Sequence, residues 1–200
     1  TSLARLEARR LLLAARYDAA ATEGDRAGVV SEARSAVFDA LTADIVPAWI
    51  GTRWSYHGTS ETPGSGAIAC GYFVATVLRD AGFAIDRVPL AQQGSAAIVN
   101  TLVPGERVTD VEGATPSEVI APARGALSDG GLFVIGFDSH VGLLVVRGGS
   151  TQLCHSSNRS PRTVRCEAAA SARSMVSSRH VLGPVLSDEA MLSWLGRQAL

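Results

Sequence analysis

The chain has 200 residues, 46 % of them hydrophobic, and a formal net charge of −1. That length suits one domain with a substantial core, and the near-zero charge offers no field for a polyanion, so nucleic acid is not an expected partner. All 18 basic residues are arginine, which excludes lysine Schiff-base and P-loop chemistry, and no apolar run is long enough to span a membrane.

Residues 2–21 and 25–46 read as two amphipathic helices rich in Ala, Arg and Leu, separated by Thr22-Glu23-Gly24-Asp25, with Pro47 ending the second. The LLLAA run inside the first is too short and too closely preceded by Glu7, Arg9 and Arg10 to read as a signal peptide. The segment to Gly66 is a loop rich in Gly, Ser, Thr and Pro. It runs into a helix that begins at Cys70, places Phe73, Val74, Val77, Leu78 and Ala81 at helical spacing, and stops at Gly82. A further helix is expected within 88–103, and a short one from Pro116 to Leu127.

From Gly131 the texture changes. LFVIGF, HVGLLVV, TQLCHSS and RTVRC are short β-type runs separated by Asp138-Ser139, Gly148-Gly149 and the turn at 158–161. They predict an antiparallel meander. A fifth strand near Val176–Leu182 and a helix from Ser187 complete the chain. Helices first and sheet second is an α+β pattern, read as one domain over 1–200: a helical segment over 1–47 and a core over 48–200.

Cys70 carries the main chemical signal. A thiol at a helix N-terminus faces unpaired N–H groups and the positive end of the dipole, and both are expected to favour the thiolate. His140, opening an apolar strand, is the best base among the four histidines. Period-two alternation sends His140 and Gly142 to one face and Val141 and Leu143 to the other. His155 lies on the next strand, where the two imidazoles can be neighbours, while Cys154 points away. Asn158 is the alternative third member, though its context is that of a turn. His57 and His180 read as rim or structural residues. Cys154 and Cys166 could face each other across a hairpin as a disulfide, leaving Cys70 free, or be two reduced core cysteines. The paired spacings of a structural zinc site are absent, so no metal is expected.

At these residues the chain resembles the NlpC-type papain-like cysteine peptidases, which cleave peptide stems of bacterial cell walls. Gly51-Thr52-Arg53-Trp54 and Gly58-Thr59 match the family's first phrase, and Cys70-Gly71 its nucleophile. Gly82-Phe83-Ala84-Ile85-Asp86-Arg87 matches the next phrase, His140-Val141-Gly142-Leu143 the base, and Cys154-His155-Ser156 the third motif. The resemblance covers roughly residues 48–157. It implies a papain-like α+β fold with the nucleophile helix packed on an antiparallel sheet. It also implies a Cys70–His140–His155 triad that needs no cofactor, attacks an amide carbonyl, passes through a thioester and ends in hydrolysis. The expected substrate is a peptide or peptidoglycan fragment and the expected location secreted or periplasmic. A papain-like acyltransferase and a non-catalytic peptide-binding module are the rival readings.

The substrate-binding set implied is Trp54, Tyr56, Ala69, Gly71 and Ser139. Trp54 or Tyr56 is expected to assist the Cys70 N–H in holding the oxyanion. Three departures matter. Trp54 stands where the family has a tyrosine, and Ala69 and Gly71 where it has an aspartate and a serine that help hold a free amine. A more apolar subsite, poor on free-amine stem peptides, is the expected consequence. The alternative is that another acid, such as Asp138 beside the base strand, replaces the missing carboxylate.

Overall fold

The computed structural model describes residues 2–103, 105–126 and 131–200. Helices α1 (Ser2–Ala19) and α2 (Glu23–Asp39) lie side by side. Thr22 caps α2, its hydroxyl accepting from the Asp25 N–H, as expected of a β-region threonine at that place. Arg10 is buried and donates to the Leu195 carbonyl at 2.8 Å, tying α1 to the last helix.

Pro47 does not end the second helical stretch. The chain passes through a π-type segment, Ala40–Ile45, into a final turn, α3 (Val46–Trp49), with Pro47 in its first positions. A proline there forfeits an N–H that a first turn leaves unpaired anyway, so the turn tolerates it. Helix α4 (Cys70–Asp80) follows the long loop and is buried on nearly every side. It closes at Gly82, whose φ of 96° no branched residue would adopt. The helix expected within 88–103 is two short ones, α5 (Arg87–Ala91) and α6 (Ser95–Leu102), broken at Gly94.

Strand β1 (Thr109–Glu112), which the sequence pattern does not signal, precedes α7 (Pro116–Ala126). The expected end of α7 at Leu127 lies outside the described residues. Strands β2 (Gly131–Gly136), β3 (Val141–Arg147), β4 (Ser150–Ser156) and β5 (Val164–Ala168) form the expected meander. The last strand, β6 (Arg179–Pro184), starts three residues later than predicted and pairs with β2 and β1. The antiparallel sheet runs β1-β6-β2-β3-β4-β5. Helix α8 (Asp188–Gly196) follows the expected start at Ser187, whose hydroxyl caps it by accepting from the Ala190 N–H. The molecule is α+β, with helices over one face of the sheet and α7 on the other. Leu143, Cys154 and Val181 pack into the larger cluster with Leu13, Leu41, Phe73 and Trp194. Phe133, Ile135, Leu144 and Leu153 pack into the smaller one with Val119 and Ile120. Among the described residues no helix is long and apolar enough to cross a membrane.

Candidate active site

The loop before α4 is held by backbone and by one arginine. Thr52 O accepts from Val164 N at 2.8 Å, Trp54 N donates to Arg162 O at 2.9 Å, and Ala69 N donates to Gly58 O at 2.8 Å. Arg87 is buried, donates to the Thr76 hydroxyl and to the carbonyls of Thr59 and Ser60, and lies over the Tyr72 ring. Ser156 reaches from the end of β4 to the Ile68 carbonyl at 2.6 Å. The chain entering α4 is thereby fastened to the strand that carries His155.

Ala69 occupies the cap position of α4 and has no side-chain oxygen to offer the helix N–H groups. The backbone N–H groups of Cys70 and Gly71 instead bear on the Cys70 thiol and favour its anion. So does the N–H of Val141, in the peptide that joins His140 to β3. Those three donors favour the thiolate, but burial outweighs them and pushes the Cys70 thiol up from its ordinary value. The thiol activation expected from the helix N-terminus is therefore corrected. The resting group is a protonated thiol, because removing a small anion from water costs more than three weakly polarised N–H groups return.

His140 lies in the turn just before β3 and is 8 % exposed; His155 on β4 is fully buried. Their rings meet edge to face, with His140 Nε2 2.6 Å from His155 Nδ1. The β3–β4 register explains the meeting. Leu143 pairs with Cys154, which sets Gly142 beside His155 on the face that His140 shares. A Cβ at Gly142 would come within 3.0 Å of the His155 Cβ, so that position has room only for hydrogen. Phe137 stacks on His140 with ring centroids 5.8 Å apart and packs edge-on against His180. Both imidazoles are kept neutral: burial, aided by neighbouring charges, pushes His140 down to about 3 and His155 down to about 4.

The sequence reading misses Glu167. Its Oε1 lies 2.9 Å from His155 Nε2, and its Oε2 3.3 Å from Arg165 Nε. The expected fourth run stops at Cys166, whereas β5 continues to Ala168. Register was the available signal: Cys154 opposite Cys166 puts Arg165 across from His155 and Glu167 one alternation further. Cys154 and Cys166 form a disulfide, which excludes the reduced-core alternative and leaves Cys70 as the free thiol. Asn158 is exposed in the β4–β5 turn, and the place beside His140 belongs to His155. His180 is buried on β6 with Nε2 3.0 Å from the Met175 carbonyl, a structural position as expected.

The substrate-binding candidates divide. Trp54 is half-buried beneath the Arg162 guanidinium. Tyr56 is 76 % exposed with its ring edge against His57, a rim position. Ser139 is exposed in the turn before His140. Gly71 is a packing position: a Cβ there would lie 2.4 Å from the Ala91 carbonyl of α5. Gly71→Ser is expected to force α5 away and to cost about 1–3 kcal/mol of stability. A melting temperature equal to that of the parent would show that α5 is free to move.

Asp138, the acid that could stand in for the missing carboxylate, is anionic and already hydrogen-bonded. The Ser178 hydroxyl and N–H, with the Arg179 N–H, bind its oxygens and hold it down to about 2. It clamps the β2–β3 turn to the start of β6. The groups nearest in charge to His140 are instead cationic, Arg159 and Arg165, with Glu167 opposing them. Comparisons with protein-family models, with curated proteins and with solved structures found no match.

Proposed function

We infer that this protein is a papain-like cysteine hydrolase, with Cys70 as nucleophile, His140 as base and His155 orienting the base. The observation that carries the reading is the junction at the start of β3. The only free thiol of the chain sits at the start of α4, where the N–H of the peptide that follows His140 favours its anion, while that imidazole is chained to His155. A neutral thiol and a neutral imidazole suit general-base attack, in which the proton leaves sulfur as the bond to the carbonyl carbon forms. The Cys70 N–H, with Trp54 at the rim, would hold the oxyanion that develops. The order of motifs supports an NlpC-type relationship, and a disulfide supports an oxidising compartment, secreted or periplasmic.

The substrate class is an amide bond in a bacterial cell-wall or other peptide, without a free amine at the bond's near side. Ala69 offers no carboxylate, Gly71 no hydroxyl, and Arg159 and Arg165 would repel an ammonium. An ammonium buried there without an acceptor would keep a desolvation cost on the order of several kcal/mol. The test is to incubate matched peptides, one with its N-terminus free and one acetylated, and to analyse products and protein by mass. Expected is faster cleavage of the acetylated peptide, with an acyl adduct on Cys70. A strong preference for the free amine would overturn the subsite, and an absence of both cleavage and adduct across a cell-wall digest would favour a binding module.

A further inference from the structure

The hydrogen-bond chain that starts at His140 ends on an acceptor. Glu167 presents Oε1 to His155 Nε2 at 2.9 Å, and its other oxygen lies 3.3 Å from Arg165 Nε as an ion pair, without a hydrogen bond. A carboxylate held against a guanidinium accepts and does not donate, so His155 Nε2 carries its hydrogen. The His155 ring is buried and neutral near pH 7, which leaves Nδ1 as a bare lone pair. That nitrogen sits 2.6 Å from His140 Nε2. Two bare nitrogens repel at such a distance, so the hydrogen between them belongs to His140 Nε2. His140 is neutral as well, so its single hydrogen is spent there and Nδ1 is bare.

We propose that Glu167 is a positioning residue whose carboxylate sets the direction of the whole chain and thereby keeps the His140 Nδ1 lone pair free to take a proton. This rests on reading Cys70 as nucleophile and His140 as base. In that step the S–H bond breaks and its proton goes to His140 Nδ1. The sulfur pair forms the S–C bond, and the carbonyl π pair moves onto oxygen. The imidazolium so made still donates from Nε2 to His155, so nothing further along the chain has to rearrange.

An amide in place of the carboxylate separates direction from mere contact. In Glu167→Gln the Arg165 guanidinium, a cation at ion-pair distance, draws the negative amide oxygen to its side and repels the NH2, which turns that group toward His155 Nε2. His155 must then accept at Nε2, hold its hydrogen on Nδ1 and donate it to His140 Nε2. The His140 hydrogen is driven to Nδ1, the nitrogen the base needs bare. The wrong tautomer is costly: in the serine triad it lowers kcat by about 10⁴.

The test is nitrogen-15 NMR of histidine-labelled protein near pH 7, without substrate. The expected wild-type spectrum shows His140 protonated at Nε2 and bare at Nδ1, and His155 protonated at Nε2. In Glu167→Gln both assignments exchange, the melting temperature changes little, and peptide cleavage falls on the order of 10²–10⁴-fold. A wild-type His140 with its hydrogen on Nδ1, or unchanged tautomers in the glutamine variant, overturns the proposal. If the variant fails to fold, the wild-type spectrum alone decides. The expected tautomers in a protein that cleaves no peptide would support the role of Glu167 and defeat the hydrolase reading.

Discussion

Cys70→Ala is expected to abolish peptide cleavage, a loss on the order of 10⁴-fold or more, while the melting temperature stays within a few degrees of the parent. The two halves have separate causes. No other thiol is free to form the thioester, since Cys154 and Cys166 are bonded to each other. The substitution removes one sulfur from a partly exposed site at the edge of the core, worth about 1 kcal/mol of burial. Alkylation of Cys70 in the wild type adds a second reading of the same group. Its rate should climb with pH through a range above that of an ordinary cysteine, because burial raises the thiol. Cleavage that survives in Cys70→Ala would refute the mechanism. A rate of alkylation already level in mild acid would refute the protonated resting thiol.

The stability of the fold should fall steeply in mild acid. His140 and His155 are held neutral by burial, with folded-state values pushed down to about 3 and about 4, whereas an unfolded histidine titrates near about 6.5. The sign follows from proton counts. Below about pH 6.5 the unfolded chain takes up protons that the folded chain refuses, so folding weakens as pH falls. The contribution is intact above about pH 6.5 and is lost progressively toward the folded-state values. For one such imidazole the loss by about pH 4.5 is on the order of 2–3 kcal/mol, a large part of a typical domain's stability. Thermal unfolding between pH 7 and 4.5 measures it. His155→Asn removes one of the two titrating rings and should flatten the slope. A wild-type melting temperature that is level across that range would sink the assignment of two neutral buried histidines.

How much of this was legible in the sequence depends on the range over which each feature is decided. The pairing of His140 with His155 is readable because a hairpin turn at Gly148-Gly149 fixes which residues of β3 and β4 can share a face. The same alternation turns Cys154 away toward Cys166, and the disulfide follows from the next register. The passage through Pro47 is not readable, since a proline normally stops a helix and only the π-type segment before it makes a new first turn there. Strand β1 is not readable either. It is a short edge, TDVE, mostly exposed, and it exists because β6 offers it a partner.

Local sequence determined the α+β order of elements, the caps at Thr22 and Ser187, the stop at Gly82 and the placing of Cys70 at a helix start. Each of these depends on a few adjacent residues and their backbone preferences. Tertiary structure alone decided the protonation of the thiol, because burial depends on what α4 packs against. It also decided why Gly71 is glycine, since the Ala91 carbonyl comes from another helix, and it gave Asp138 its partner by bringing Ser178 to it from forty residues away. Glu167 belongs to the same group. Desolvation and the direction of a hydrogen-bond chain are set by neighbours distant in sequence, and no spacing along the chain records them.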